Sequence, residues 1–221
     1  MNRQFAVVAG GLLAALLSIS FSPSAPSRLA VATPESPDSR WVEAAYPSLA
    51  ELYHHLHAHP ELSFHETETA ARLAAELRKL GADVTEGVGR TGVVGLLKNG
   101  DGPTVMVRTD MDALPVAEAT GLAYASKVTT KDDDGNTVGV MHACGHDVHM
   151  TCLVGAARFL AEHRDTWKGT VMFVCQPAEE GLGGAVAMLK DGLFERFPKP
   201  KFALALHCDA TLAAGRVGLL P

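Results

Sequence analysis

Between Trp41 and His207, helix-type and strand-type segments take turns along the chain, and this alternation narrows the fold more than any other property of the sequence. Trp41 to His57 carries Val42, Ala45, Leu49, Leu52 and Leu56 at helical intervals, and Pro60 closes the run. Glu66 to Leu80 sets Ala70, Leu73, Leu77 and Leu80 on one stripe, with Gly81 where a helix stop belongs. Three short runs rich in β-branched or apolar residues follow: Val84 to Glu86, Gly92 to Leu97 and Thr104 to Arg108. Gly89, Asn99-Gly100 and Asp101-Gly102 part them. The pattern then predicts a helix from Asp147 to His163, a strand from Gly169 to Gln176, a helix from Gly183 to Leu193 and a strand from Lys201 to His207. Such an order predicts an α/β fold, a mainly parallel sheet with helices on both faces. Ligand sites in sheets of that kind gather beyond the carboxyl ends of the strands.

The chemistry-bearing residues obey that rule: Asp110 and Asp112 follow one strand, Glu179 and Glu180 another, and His207 ends a third. Their densest cluster is His142-Ala143-Cys144-Gly145-His146-Asp147-Val148-His149, three imidazoles, a thiol and a carboxylate in eight residues. A hydrolytic metal centre needs ligands of fixed charge, a water made acidic by the ion, and a base to manage its proton. Cys144 as a thiolate suits zinc or another borderline metal and can bridge two ions, and His146 adds a neutral imidazole two positions later. Gly145 between them permits a sharp turn.

Adjacent carboxylates in a turn diverge, so one of Glu179 and Glu180 can hold metal while the other faces a substrate water. The competing reading of this pair is an acidic helix N-terminus. Asp110 and Asp112 either orient histidine ligands from behind or cap the next segment. His207 taken alone reads as an ordinary structural histidine. His54, His55, His57, His59, His65 and His163 read as surface residues, and His65-Glu66-Thr67-Glu68-Thr69 lacks the second histidine of the zinc-protease helix motif.

A formal charge of −6 and a pI near 5.9, with no Lys/Arg cluster, exclude a nucleic-acid surface. Arg3 precedes an uncharged run from Phe5 to Phe21, and Pro, Ser and Ala dominate from Ser22 to Pro37. This reads as an export leader, with Ala30-Val31-Ala32 as one cleavage site and Ala25 as another possible end, and a retained membrane anchor is the alternative. No stable membrane association is expected once the leader is removed.

Cys144, Cys152, Cys175 and Cys208 form no stapled framework and no Cys-x-x-Cys pair, which argues against a thiol redox protein. Cys152, Cys175 and Cys208 read as small buried residues. Thr129 to Thr137 is polar and turn-rich, a surface loop or hairpin whose three aspartates read as solvated rather than calcium-binding.

Several motifs agree in order and spacing with one family: His59-Pro60-Glu61-Leu62-Ser63, Thr91 to Gly95, Arg108 to Pro115, Met141 to His149, Gln176 to Gly181, and Ala205-Leu206-His207. Through them the chain resembles the amidohydrolase branch of the dinuclear metallopeptidases, which includes aminoacylases, hippurate hydrolase, carboxypeptidase G and the plant hydrolases of indole-acetyl amino acids. The resemblance runs from Trp41 to Pro221 and implies a phosphorylase/hydrolase-like catalytic domain. It further implies that Cys144, His146, Glu180 and His207 bind two divalent ions, zinc or manganese, with Cys144 as the bridge. Glu179 is then the general base and Asp112 a residue that orients the site. Implied substrates are N-acyl amino acids or small peptides with a free carboxylate.

In that family a lid or dimerisation domain interrupts the catalytic domain, and a further ligand histidine follows it. The chain is therefore expected to be the N-terminal part of such an enzyme: leader 1–32, linker 33–40, catalytic portion 41–209, and the start of the lid at 210–221. A homodimer is expected of the full-length form. The alternative expectation is a non-catalytic remnant that only binds metal.

Overall fold

The computed structural model of the protein describes residues 37–181, 183–213 and 215–218. The expected leader, and the linker as far as residue 36, lie outside these residues. Helices α1 (Pro37–Ala58) and α2 (Thr67–Lys79) precede strands β1 (Asp83–Val88), β2 (Gly92–Asn99) and β3 (Thr104–Asp110). A small hairpin of β4 (Thr129–Lys131) and β5 (Thr137–Gly139) comes next. Helix α3 (His146–Glu162), strand β6 (Gly169–Gln176), helices α4 (Gly184–Lys190) and α5 (Leu193–Arg196) and strand β7 (Phe202–Ala205) complete the order. The expected helix over 183–193 is divided, because Gly192 takes a left-handed φ of 85° between α4 and α5.

Five strands form one sheet in the order β1-β2-β6-β3-β7. β6, β3 and β7 run parallel, as the alternation predicts, because α3 bridges β3 to β6 and α4 with α5 bridges β6 to β7. β2 is the exception and pairs antiparallel with both β1 and β6, which makes the sheet mixed. The reason is connection length. Only residues 89–91 separate β1 from β2, enough for a hairpin and far short of a parallel crossover. The link from β2 to β3 then crosses the start of β6, where the chains touch closely: a Cβ on Gly169 would lie 2.3 Å from the Pro103 carbonyl oxygen.

β2 and β6 are buried along almost their whole length, since helices cover both faces. On one face Val93, Leu97, Val171, Phe173 and Cys175 pack with Leu52 and Leu56 of α1, Leu73 and Leu77 of α2, and Met150 and Leu153 of α3. Alternate residues Val94, Leu96, Met172 and Val174 point the other way, onto Met188 of α4 and Leu193. β7 is an edge strand, paired on one side only, and all four of its residues are exposed.

That edge position corrects one expectation about the cysteines. Cys175 is fully buried, and burial pushes its thiol up to about 12. Cys208 follows exposed β7, and Cys152 sits on α3 beside Leu204 and Leu206 near the same edge; both are exposed. The segment 129–139 is the expected hairpin, its turn closed by Asp132 Oδ1 accepting the Asn136 N–H at 2.7 Å. No helix among the described residues is long and apolar enough to cross a membrane.

Candidate metal centre

Three loop ends meet beyond the carboxyl ends of β3, β6 and β7. The first comes from the turn that starts α3. Gly145 adopts φ 83° there, a conformation that glycine takes without strain, and it lets Cys144 and His146 face the same space. His146 is 1% exposed. Its Nδ1 lies 2.7 Å from the Asp112 carbonyl oxygen, and a carbonyl can only accept, so Nδ1 carries the proton and Nε2 offers a lone pair. That Nε2 has no hydrogen-bond partner. It faces three carboxylates, Asp110 Oδ2 at 3.7 Å, Glu179 Oε2 at 3.7 Å and Glu180 Oε1 at 3.8 Å.

His207, just past β7, is prepared in the same way. Its Nδ1 donates to the Cys208 carbonyl at 2.6 Å, and its Nε2 lies 3.5 Å from Cys144 Sγ. Ligand atoms of Cys144, His146 and His207 all fall within 4.8 Å of one another, and so do those of His146, Glu179 and Glu180. The structure therefore brings together every residue expected from the sequence: Cys144, His146, Glu179, Glu180 and His207, with Asp112 behind them. Asp112 Oδ2 accepts from the Ser63 hydroxyl at 2.6 Å and from the Glu180 N–H at 2.9 Å, so one carboxylate ties Glu180 to the loop after α1.

The electrostatics call for a cation. Burial opposes a charge on His146, yet the carboxylates of Asp112 and Asp110 outweigh it and hold its pKa above the ordinary value. Burial and the Glu180 carboxylate push the Cys144 thiol up to about 11. Buried Glu180 Oε1 and Asp112 Oδ1 lack hydrogen-bond partners, as His146 Nε2 does. A thiol, two imidazoles and unsatisfied carboxylate oxygens in one cluster form a donor set that fits a divalent cation. Clefts adjoin it on two sides, about 440 Å³ beside Cys144 and His207 and about 280 Å³ beside Glu180.

Two histidines have roles that sequence reasoning did not give them. His149 joins Asp110 and His146 in a third close group. Its Nε2 accepts the Cys208 N–H at 2.8 Å and its Nδ1 donates to Asp110 Oδ1 at 2.7 Å, so both nitrogens are occupied and it fixes its neighbours. Its place one turn after His146 on α3 was the available signal. His57, expected at the surface, is 5% exposed and bridges Asp147 Oδ2 at 2.6 Å and Glu118 Oε1 at 3.1 Å. The helical stripe of α1 did not reveal it, because its partners lie 90 and 61 residues away.

Comparison with known proteins identifies the family of the chain. Residues 106–221 match the model of peptidase family M20/M25/M40. The hippurate hydrolase of Campylobacter jejuni is 48% identical over 147 residues, covering 66% of this chain and 36% of that protein. IAA-amino acid hydrolase ILR1-like 4 of Arabidopsis thaliana is 43% identical, covering 73% of this chain and 34% of that protein. Among solved structures, the Bacillus subtilis YXEP protein, described as a dinuclear metal binding peptidase from the M20 family, superposes with a TM-score of 0.67 at 36% identity. That match covers 77% of this chain and 45% of the other. The chain thus spans between a third and a half of the length of these relatives. With more than half of its length matched by the family model, the chain belongs to peptidase family M20/M25/M40.

Proposed function

We propose that this chain carries the metal-holding and proton-transferring residues of an amidohydrolase that cleaves N-acyl amino acids or small peptides. The observation that carries the reading is the meeting of Glu179, Glu180 and Asp110 around the free Nε2 of His146. Cys144, His146, Glu180 and His207 would hold two divalent cations, zinc or manganese, whose chemistry when bound is to acidify a water and polarise an amide carbonyl. The ligand atoms of Cys144, His146 and His207 lie within 4.8 Å of one another, so the Cys144 sulfur would share a cation site with both imidazoles.

Glu179 is the base. Its side chain is 37% exposed, open to the substrate space, and its carboxylate takes the proton of the attacking water and passes it to the leaving amine. Asp112 and His149 hold the ligands in place. The names of the relatives, hippurate hydrolase and IAA-amino acid hydrolase among them, support an acyl amino acid as substrate. The charged and then apolar start of the chain supports export, with residues 41–209 as the catalytic portion, and a homodimer is the assembly we assign to the full-length form.

Glu179→Gln in the intact, metal-loaded protein tests this reading. Release of amino acid from an N-acyl substrate should vanish while metal content stays unchanged. Retained turnover removes Glu179 from its role. Bound metal with no cleavage of any acyl amino acid by the unaltered protein would favour a chain that only binds metal.

A further inference from the structure

Glu66 lies just before α2, is completely buried, and joins two distant loops. Its Oε2 accepts from the Thr91 hydroxyl at 2.5 Å, ahead of β2, and its Oε1 accepts from the Ala178 N–H at 2.8 Å. Ala178 immediately precedes Glu179. Burying a carboxylate is unfavourable unless its hydrogen bonds are made and kept, and here burial raises the Glu66 pKa in spite of them.

The backbone around this carboxylate is strained. Among the described residues, those other than glycine with positive φ are Phe64 at 63°, Arg90 at 87° and Ala178 at 45°. All three surround Glu66: Phe64 is two residues before it, Arg90 adjoins its partner Thr91, and Ala178 is its other partner. The Arg90 guanidinium also lies over the Phe64 ring, 4.2 Å from the centroid. Backbone in such conformations persists only where its surroundings over-determine it, and it concentrates at functional sites.

Beyond Ala178 the chain forms a tight loop that carries both glutamates. The Ala178 carbonyl closes it by accepting from Gly183 N–H at 3.3 Å and Gly184 N–H at 3.1 Å. Ala178 is thus the base of the Glu179-Glu180 loop, and Glu66 grips that base from the opposite side.

We propose that Glu66 is a positioning residue that locks the left-handed turn at Ala178 and so aims Glu179 and Glu180 at the cation site. The inference rests on the role given above to Glu179 for its kinetic arm only; its metal-binding arm stands on Glu180. Glutamine keeps an oxygen for the Ala178 N–H and an amide for the Thr91 hydroxyl, whereas aspartate is one methylene too short to span both partners.

The test compares Glu66→Asp, Glu66→Gln and Glu66→Ala in the intact protein by Mn2+ titration of the metal-free form, by kcat and KM, and by thermal melting. Glu66→Asp and Glu66→Ala should weaken the more loosely held Mn2+ at least tenfold and lower kcat at least tenfold with KM within twofold, while Glu66→Gln stays within threefold of the unaltered protein in all three. Should Glu66→Ala fail to fold, Glu66→Asp decides. A lowered melting temperature in Glu66→Asp with Mn2+ affinity and kcat unchanged overturns the proposal and leaves Glu66 a packing residue. If Glu179→Gln keeps turnover, the functional reading fails separately, and Mn2+ affinity alone then decides for or against Glu66.

Discussion

The 2.7 Å contact between His146 Nδ1 and the carbonyl oxygen of Asp112 decides which face of the imidazole is free. Because the backbone oxygen takes the only proton of a neutral ring, Nε2 is left as a bare lone pair amid carboxylates. The Asp112 side chain meanwhile holds the Glu180 backbone, so one residue supports ligands on two separate loops. Residues that support metal ligands in this way commonly change affinity by about 10–100-fold when removed.

Asp112→Ala should therefore weaken metal binding by about 10–100-fold without unfolding the chain. Titration calorimetry with Mn2+ or Zn2+ on metal-free protein measures this directly. An affinity equal to that of the unaltered protein would show that Glu180 keeps its place without the Asp112 carboxylate.

Cys144→Ala removes the sulfur donor grouped with His146 and His207. Metal analysis after gel filtration should show loss of bound metal, and Cys144→Asp should restore part of it, since a carboxylate can bridge two ions as a thiolate does. Full metal content in Cys144→Ala would exclude the bridging role.

His57 gives a pH-dependent contribution to stability. Burial lowers its pKa, but hydrogen bonds to Asp147 and Glu118 overcome that and raise it above its ordinary 6.5. A raised folded-state value means that the stabilisation is fully present below 6.5 and is lost as pH rises through the higher folded-state value. On the acid side, burial pushes Glu118 up, but hydrogen bonds from Thr120, His57 and Ser126 prevail and hold its pKa below 4.5, so that carboxylate's contribution disappears as pH falls through the lowered value. Chemical denaturation of the unaltered protein and His57→Ala at several pH values should give the largest difference between these limits, about 3 kcal/mol. A difference that does not vary with pH would rule out a charged bridge.

Gly184→Ala tests the tightest contact in the loop that carries the glutamates. A Cβ there would sit 1.5 Å from the Pro177 carbonyl oxygen, too close for any side chain to fit unless the backbone moves. Loss of about 3 kcal/mol or more in stability is expected, together with weaker metal binding because Glu180 moves with the loop. A normal melting temperature and metal affinity would mean that the loop has room to rearrange.

Local residue chemistry made the positions and types of the elements legible. The alternating β-branched runs gave β2, β3 and β6, and the helical stripe of Ala70, Leu73 and Leu77 gave α2, whose buried residues include all three. The Asp191-Gly192 break between α4 and α5 was missed because the apolar pattern continues through it to Leu193 and Phe194. The antiparallel course of β2 was readable in principle, since so short a link after β1 allows only a hairpin.

The sequence by itself determined most of the elements, the carboxyl-end placement of the chemistry, and a cluster of candidate donors at Cys144, His146, Glu179, Glu180 and His207, whose division into ligands and base only the family resemblance implied. These follow from short-range rules: side-chain periodicity, turn residues, and the density of thiol, imidazole and carboxylate in a few short stretches. Only the tertiary structure decided that Nε2 of His146 is free, that His57 is a buried bridge, and that Glu66 grips Ala178. Those features depend on partners 34, 90 and 112 residues apart. Hydrogen bonds over such separations leave no mark on local periodicity, and packing of the sheet and helices alone brings their partners together.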